Sequence, residues 1–194
     1  MIASATYQWR YIRQIIKRRP QSILEVGTGR GLHAIFLSYF SPKVIGIDTQ
    51  EGLVKKAMRL NTKFRGRVRF LTMDAFYMGF EDQSFSVCCS QGFFEHFSNS
   101  DIQALIKEQL RVARSVIFSV PSCYHPFKDM GDERLLGLEE WREILNIYLA
   151  KGFYYSPIID ASKGFLGNLR LSTLRKSMSA PRRAQICVTV TKSK

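Results

Sequence analysis

The sequence predicts an α/β fold in which a largely parallel β-sheet is covered by helices on both faces. Short apolar runs alternate along the chain with segments whose apolar residues recur at helical spacing. A strand, a helix and a second strand make a right-handed crossover, and repetition of this unit gives parallel strands. With 194 residues, 45% of them hydrophobic and 23% charged, the chain suits a single domain over 1–194 with one core.

Each element follows from a local signal in the sequence. The segment 1–19 contains an amphipathic helix, predicted from Ser4 to Arg19, which Pro20 ends. Further helices are predicted at Gly31–Phe40, Glu51–Asn61, Asp101–Val112 and Leu138–Lys151, the last closed by Gly152. Strands are predicted at Ser22–Val26, Lys43–Ile47, Val68–Leu71, Phe85–Ser90, Ser115–Val120, Tyr154–Ile159 and Ala184–Thr191. No clear helix pattern separates the last two strands, so an antiparallel edge is expected there.

The formal net charge of +13 is concentrated at the two ends of the sequence. Residues 1–24 carry five basic and no acidic side chains, and residues 161–194 carry eight basic and no acidic ones. The segment 25–160 holds sixteen of each sign. This asymmetry indicates an acidic partner such as a nucleic acid, an anionic lipid or a phosphorylated substrate, with a solvated surface as the alternative. The connection 162–183 is expected to be a basic insertion between the last two strands.

Composition also disfavours several locations and kinds of site. No run reaches the ~18 apolar residues of a membrane span, and Met1–Arg19 lacks the apolar core of a secretory signal. The four cysteines have no metal-ligand spacing and no metal site is predicted, while Cys88 and Cys89 are expected to be buried free thiols. A reducing, cytoplasmic location fits this cysteine usage best. The oligomeric state is not predicted.

The most informative motif is Glu25-Val26-Gly27-Thr28-Gly29-Arg30-Gly31, between a predicted strand and a predicted helix. Glycines permit positive φ and close approach of a ligand, and the following helix N-terminus offers unpaired N–H groups. A dinucleotide site with G-x-G-x-x-G spacing needs a small residue where this chain has Leu32. The pattern acidic-x-G-x-G-x-G resembles motif I of the class I S-adenosylmethionine-dependent methyltransferases. That resemblance implies a Rossmann-like, mostly parallel seven-stranded sheet with an antiparallel last strand.

Two carboxylates follow the next strands. Asp48, 21 residues after Gly27, ends the second strand, where it can accept both hydroxyls of an adenosine ribose; its alternative role is a helix N-cap. Dehydrogenases use the same position, so Asp48 does not decide between cofactors. The resemblance implies that Asp74 receives the adenine amino group, that the Ala75 N–H reaches a ring nitrogen, and that Glu25 positions the amino-acid part of the cofactor. For Asp74 the alternative is a solvated loop residue.

The predicted contacts of S-adenosylmethionine lie at the ends of the first four strands. They are Glu25, Gly27, Thr28, Gly29, Gly31, Asp48, Thr49, Asp74, Ala75, Ser90 and Gln91. The run Phe85–Phe97 is similar to the F-D-x-V…E-H-F segment of the branch that contains the ubiquinone- and menaquinone-biosynthesis methyltransferases. Ser86 replaces the usual aspartate there, and Gln91-Gly92 is a polar variant of the following turn. With a further similar segment at 131–141, the resemblance covers about residues 20–155.

Three residues are candidates for a general base: His96 after the fourth strand, and Tyr124 and His125 after the fifth. Both loops lie at strand carboxyl ends, where open α/β sheets bind ligands. A base helps when the methyl acceptor is a hydroxyl or a ring carbon, and it is dispensable for a free amine or thiolate. The alternatives are a packing histidine at 96 and an ordinary loop residue at 125.

The leading functional prediction is methyl transfer from S-adenosylmethionine to a small-molecule acceptor, an acidic one among the options, with S-adenosylhomocysteine as the product. The alternative is an RNA-modifying methyltransferase or an RNA-binding protein that uses the basic N- and C-terminal segments. A NAD-dependent oxidoreductase is disfavoured by Leu32 and by the spacing of Glu25 from the first glycine. No Asn/Asp-Pro-Pro-Tyr/Phe motif follows the fourth strand, which disfavours a nucleic-acid amino-methyltransferase.

Overall fold

The computed structural model describes residues 8–125, 131–155 and 184–191. The strands are β1 (Ser22–Val26), β2 (Lys43–Asp48), β3 (Val68–Thr72), β4 (Val87–Gln91), β5 (Val116–Pro121), β6 (Leu149–Tyr155) and β7 (Gln185–Thr191). The helices are α1 (Trp9–Ile16), α2 (Leu32–Leu37), α3 (Glu51–Lys63), α4 (Asn99–Val112) and α5 (Leu138–Ile144), with a 3-10 turn at Phe94–His96. Among these described helices, none is long and apolar enough to cross a bilayer.

The seven strands form one sheet in the order β3-β2-β1-β4-β5-β7-β6. The pairs among β1 to β5 are parallel, whereas β7 runs antiparallel to both β5 and β6. The predicted Rossmann-like sheet with an antiparallel last strand is therefore confirmed. Because the order reverses between β1 and β4, the crevice in which such sheets bind ligands lies at the carboxyl ends of these two strands.

The core lies on both faces of the sheet. One face packs against α1, α2 and α3 through side chains such as Ile12, Ile35 and Val54. The opposite face packs against α4 and α5 through side chains such as Ile106 and Trp141. The helical spacing seen in the sequence accounts for these contacts, because each helix buries one apolar stripe.

The prediction of a helix over Leu138–Lys151 is wrong in its second half. The helix α5 ends at Ile144, and Leu149–Tyr155 pairs with β7 along its whole length. Gly152 is a strand residue, and a Cβ there would lie 2.8 Å from Cδ2 of Leu138, so the glycine lets α5 approach the sheet. The predicted strand Tyr154–Ile159 therefore begins five residues earlier, and its residues 156–159 lie outside the described ranges.

Several other expectations concern single segments. Cys88 and Cys89 are buried free thiols, as predicted, and Cys123 is an exposed free thiol. The predicted basic insertion at 162–183 lies outside the described residues, as do residues 4–7 of the predicted N-terminal helix.

Candidate functional site

The loop after β1 has an open position at its centre. Gly27, Gly29 and Gly31 all have positive φ, at 64°, 54° and 72°. A Cβ on Gly27 would lie 2.5 Å from Cδ2 of Phe93, and one on Gly31 would lie 2.4 Å from Cζ of Phe70. A Cβ on Gly29 would meet nothing within 4 Å among the described residues. The backbone at Gly29 is thus accessible to a ligand, while its two neighbouring glycines are needed for packing.

Asp48 joins this loop to the start of α3. Its Oδ2 accepts the N–H of Gly29 at 2.9 Å, and its Oδ1 accepts the N–H of Gln50 at 2.9 Å. The N-cap of α3 is Gln50 and not Asp48, so the alternative role of a helix cap does not apply. A carboxylate has about four acceptor positions, so Asp48 keeps acceptor capacity beside the open position at Gly29. Thr49 follows it as an exposed residue.

Glu25 supports the same loop from within the core, since only 3% of its surface is exposed. Its Oε2 accepts the hydroxyl of Thr28 and, at 3.2 Å, the N–H of Ala34 in α2. Nδ1 of His33 lies 3.9 Å from its Oε1. Burial raises the pKa of the Glu25 carboxyl to about 7, although the bonds from Thr28 and Ala34 oppose this shift. A cationic group placed nearby would therefore strengthen the ionised form of this carboxyl.

The end of β3 brings Asp74 to the same edge. Oδ1 of Asp74 accepts the N–H of Phe76 at 2.9 Å, the Asp74 side chain is exposed, and Ala75 is buried beside it. The N–H of Met73 donates to the carbonyl of Asp48 at 3.0 Å, so the ends of β2 and β3 are tied together. The structure therefore brings the carboxylates predicted after β1, β2 and β3 to adjoining strand ends.

Two predicted residues end β4, next to β1. Ser90 is 1% exposed, and its hydroxyl has no hydrogen-bond partner within the described part of the chain. Gln91 is half-buried, and the N–H of Gly92 donates to the carbonyl of Ser119 in β5. A buried hydroxyl without a partner is uncommon and marks a place where a ligand or water completes the bonding.

The turn after β4 carries His96 against a residue that sequence reasoning missed. Nδ1 of His96 lies 3.0 Å from Oδ1 of Asp132, which comes 36 residues later. Arg134 holds the two segments together, because its backbone N–H donates to the carbonyl of Glu95 and its guanidinium donates to the carbonyl of Phe97. A neutral imidazole that donates from Nδ1 to a carboxylate keeps its lone pair on Nε2. The contact with Asp132 therefore fixes the orientation of the His96 ring.

Tyr124 and His125 lie on the loop after β5, beside the turn that carries His96. Tyr124 is 47% exposed, and its ring packs edge-on against Tyr154 at 5.5 Å. The N–H of His125 donates to the carbonyl of Ser122 at 2.8 Å, and Ser122 forms a bridge with Leu136. The segment that positions Asp132 thus also contacts the loop of the other two candidates.

An aromatic wall connects the two parts of the site. The ring of Phe93 lies against Gly27 and packs on Phe97 at 4.9 Å, and Phe97 in turn contacts Phe76 at 5.9 Å. Phe93 is half-buried. The sequence contained a signal for it, the aromatic run before His96, but did not show that its first ring reaches the glycine loop.

Comparison with known families and proteins is consistent with this geometry. Residues 23–115 match a family model described as a methyltransferase domain. The chain is 35% identical over 79 residues to an eEF1A lysine and N-terminal methyltransferase homolog of Drosophila melanogaster, an alignment that covers 37% of this chain. The chain spans only 12% of the length of that relative.

Solved structures share the fold across nearly the whole chain. A SAM-dependent methyltransferase from Aquifex aeolicus superposes with a TM-score of 0.68 at 17% identity, covering 94% of this chain and 89% of the other. A Haemonchus contortus phosphoethanolamine N-methyltransferase 2, in complex with phosphomonomethylethanolamine and S-adenosylhomocysteine, gives a TM-score of 0.68 at 17% identity. That match covers 100% of this chain and 57% of the other. The matched family is a general one, so the quinone-biosynthesis branch stays a prediction.

Proposed function

We propose that the chain transfers a methyl group from S-adenosylmethionine to a small-molecule acceptor, because residues 23–115 match a methyltransferase domain and the fold is that of S-adenosylmethionine-dependent methyltransferases. The observation that carries the proposal is the open backbone at Gly29, flanked by Glu25 below and Asp48 beside it. Such a loop suits a ligand that brings a ribose and a cationic amino acid to one strand edge.

The residues present fit this cofactor in their chemistry. Asp48 offers acceptors for two ribose hydroxyls, and Asp74 offers an acceptor for an exocyclic amine. Glu25 offers a carboxylate whose ionised form a neighbouring cation would stabilise, and Ser90 offers a buried hydroxyl that lacks a partner among the described residues. When bound, S-adenosylmethionine supplies a methyl group already activated by the sulfonium charge, so the protein chiefly aligns the acceptor and excludes water.

We infer that His96 is the base that takes a proton from the acceptor. Its Nδ1 faces Asp132, and its Nε2 is the nitrogen left to accept a proton. Asp132 orients the imidazole, because its Oδ1 lies 3.0 Å from Nδ1. Such a pair is most useful for a hydroxyl acceptor, which must lose a proton as the new bond forms. Tyr124 and His125, on the neighbouring loop, are proposed to contact the acceptor.

The small size of the acceptor is supported by a structural relative. The Haemonchus contortus enzyme that shares this fold is named for phosphoethanolamine and was solved with phosphomonomethylethanolamine. The aromatic wall of Phe93 and Phe97, which runs from the glycine loop to the His96 turn, provides an apolar surface for a compact acceptor. An apolar surface with a few polar groups is typical of small-molecule sites.

Titration calorimetry with the purified chain tests the cofactor part of the proposal. S-adenosylmethionine and S-adenosylhomocysteine are expected to bind with Kd values of about 1 μM to 1 mM, the range usual for enzyme ligands. NAD serves as the control ligand and is expected not to bind. Binding of NAD with no heat from either methionine derivative would overturn the proposal.

The acceptor part is tested by release of S-adenosylhomocysteine in the presence of pooled small hydroxyl, amine and thiol compounds. Wild-type protein is expected to release it with hydroxyl compounds, and the His96→Gln variant is expected to bind the cofactor but not to turn over. Equal turnover by the His96→Gln variant would remove His96 from the mechanism. Turnover restricted to amines would contradict the role of a base.

A further inference from the structure

The neutral charge of the segment 25–160 conceals a separation of charge between the two faces of the sheet. Residues 8–72 carry fourteen basic and three acidic side chains, and the described residues of 73–155 carry six basic and eleven acidic ones. The first stretch supplies α1, α2 and α3, which pack on one face, and the second supplies α4 and α5 on the other. Within the segment 25–160, residues 25–72 carry nine basic and three acidic side chains and residues 73–160 carry seven basic and thirteen acidic ones, so the segment is neutral because these opposite excesses cancel.

We define the basic face as the exposed lysines and arginines of α1, α3 and the turns that flank these helices. It comprises Arg10, Arg13, Lys17, Arg18, Arg19, Lys55, Lys56, Arg59, Lys63, Arg65 and Arg67. Lys55 forms an ion pair with Glu51, which is the one ion pair found for the basic face within the described ranges. Eleven cations with so little compensation create a strong positive potential over this side of the molecule.

Exposed aromatic rings lie on the same side. Trp9 at the start of α1 is 47% exposed, and Tyr39 and Phe40 at the end of α2 are 43% and 48% exposed. The hydroxyl of Tyr39 donates to the carbonyl of Phe64, and Phe40 packs on Phe36 at 5.3 Å. These contacts hold the rings of Tyr39 and Phe40 against the protein surface.

The best-defined point on the basic face is the corner where the end of α2 meets the turn before β3. The guanidinium of Arg67 donates to the carbonyl of Ser38 at 2.8 Å, and its backbone N–H donates to the Ser38 hydroxyl at 3.0 Å. These bonds place Arg67 beside Tyr39, and the Tyr39 hydroxyl binds the carbonyl that precedes Arg65. The corner thus combines a fixed aromatic ring with two arginines.

We propose that the basic face binds single-stranded nucleic acid, with phosphates on the lysines and arginines and a base stacked on Tyr39. Stacking on an aromatic ring beside cations is how proteins hold single strands without reading their sequence. Seven of the eleven cations are arginines, which bind phosphate through two parallel hydrogen bonds. A basic amphipathic helix binds a lipid surface through an exposed apolar face, whereas the apolar residues Tyr11, Ile12 and Ile15 of α1 are buried in the core. Nucleic acid is therefore favoured over an anionic membrane.

Fluorescence anisotropy with a labelled single-stranded RNA of about twenty nucleotides tests the proposal on the full chain. Affinity is expected to fall steeply from about 50 to 200 mM salt, because bound cations are released from the strand. The Lys56→Gln/Arg59→Gln variant is expected to bind about tenfold more weakly, and its slope against log salt to decrease by about 1.4, or 0.7 for each phosphate contact. The matched control, Lys107→Gln/Lys151→Gln, removes the same charge from elsewhere on the chain and is expected to bind like wild type.

Two substitutions of one residue test the stacking platform. Tyr39→Ala removes the ring and is expected to weaken binding about tenfold, whereas Tyr39→Phe loses the hydrogen bond to Phe64 but keeps the ring and the affinity. If Lys56→Gln/Arg59→Gln and Lys107→Gln/Lys151→Gln weaken RNA binding equally, the strand binds elsewhere, for example on the basic segment 162–194. That result would overturn the proposal. Binding to phosphatidylserine vesicles without binding to RNA would also overturn it. Each result stands apart from cofactor binding, which calorimetry measures separately.

Discussion

The two parts of the candidate site are built from contacts of very different range. At β1 and β2, Glu25 contacts residues three and nine positions away, and Asp48 contacts Gly29 over 19 positions. At β4, His96 contacts Asp132 over 36 positions, and Arg134 contacts Phe97 over 37. The first part is therefore fixed by one strand–loop–helix unit and its neighbour, and the second depends on how a distant segment packs.

This difference suits the two ligands that the proposed reaction needs. A cofactor is the same in every turnover, and a loop whose shape is set by positive-φ glycines and backbone N–H groups provides a constant site. An acceptor differs between enzymes of one fold, and side chains brought together by a separate segment can change without disturbing the sheet. Phe93 is the physical link, since its ring lies against Gly27 while its chain belongs to the β4 turn.

The largest expected effect is a loss of folding stability when the contact between Gly27 and Phe93 is disrupted. Gly27→Ala adds a Cβ at a φ of 64° and 2.5 Å from the Phe93 ring, which together cost about 2–5 kcal/mol of folding free energy. Gly29→Ala adds a Cβ at a φ of 54° in open space and is expected to cost about 1–2 kcal/mol. Urea denaturation measures both values.

The double variant Gly27→Ala/Phe93→Ala separates the two causes. Removal of the ring is expected to recover part of the loss from Gly27→Ala, because only the strain at positive φ remains. Equal destabilisation by Gly27→Ala and Gly29→Ala would show that the contact with Phe93 does not constrain the loop.

The next effect is on turnover and concerns only the side chains brought together after β4. His96→Gln is expected to lower kcat by about 10²–10⁴-fold, the usual contribution of a general base, with cofactor affinity unchanged. Asp132→Asn is expected to cause a smaller loss of kcat, because the imidazole loses the carboxylate that orients its Nδ1. Asp132→Glu tests whether a carboxylate restores kcat.

The tautomer of His96 can be measured without an acceptor. The chain contains three histidines, so ¹⁵N NMR resolves their ring nitrogens. Wild-type protein is expected to carry the proton on Nδ1, facing Asp132, and the Asp132→Asn variant to show a mixture. An unchanged tautomer would mean that Asp132 does not orient the ring.

A smaller effect, on cofactor affinity, is expected from the carboxylates at the ends of β2 and β3. Asp48→Asn is expected to weaken S-adenosylmethionine binding about 10–100-fold, because bonds to a charged acceptor contribute about 1.5–3 kcal/mol. Asp74→Asn removes one proposed bond and is expected to weaken binding less. Calorimetry checks both variants, and an unchanged affinity in Asp48→Asn would show that this carboxylate serves the loop through Gly29 and not the cofactor.

The sequence predicted most of the sheet because its strands carry local signals. The segments Ser22–Val26 and Lys43–Asp48 are apolar runs that end at glycine or aspartate, and both are strands within a residue of the expected bounds. The failure at β6 has a physical cause, since Leu149–Tyr155 is an edge strand defined by pairing with β7. Pairing with a strand about 35 residues distant leaves little trace in local periodicity.

Prediction of the candidate site was limited in the same way, because contacts between segments distant in the sequence were missed. Glu25, Gly29 and Asp48 were predictable, because their spacing along one crossover unit determines where they meet. Asp132 was not predicted as a site residue although it lies in the family-like segment 131–141, because its contact with His96 spans 36 positions of the sequence. The charge separation between the two faces was also hidden, since it emerges only when helices are assigned to faces of the sheet.

The last prediction concerns how the buried carboxyl of Glu25 makes stability and cofactor binding depend on pH. Its pKa is raised from 4.5 to about 7, so between these pH values the folded chain holds one more proton than the unfolded chain. The free energy of unfolding therefore falls as pH rises through this window and levels off above it, relative to a Glu25→Gln variant that cannot ionise. Urea denaturation from pH 4.5 to 8 measures this difference.

Cofactor binding is expected to favour the ionised form of the Glu25 carboxyl. A cationic ligand favours the ionised carboxylate, so S-adenosylmethionine is expected to release a proton at pH 6 and to bind about tenfold more tightly at pH 8 than at pH 6. Calorimetry in buffers of different ionisation enthalpy detects the proton. His33 is the ionisable side chain beside this carboxyl, with Nδ1 at 3.9 Å from Oε1, so a His33→Asn variant is the control. Proton release that persists in Glu25→Gln but disappears in His33→Asn would assign the effect to the imidazole, and the buried carboxyl would then only shape the loop through Thr28 and Ala34.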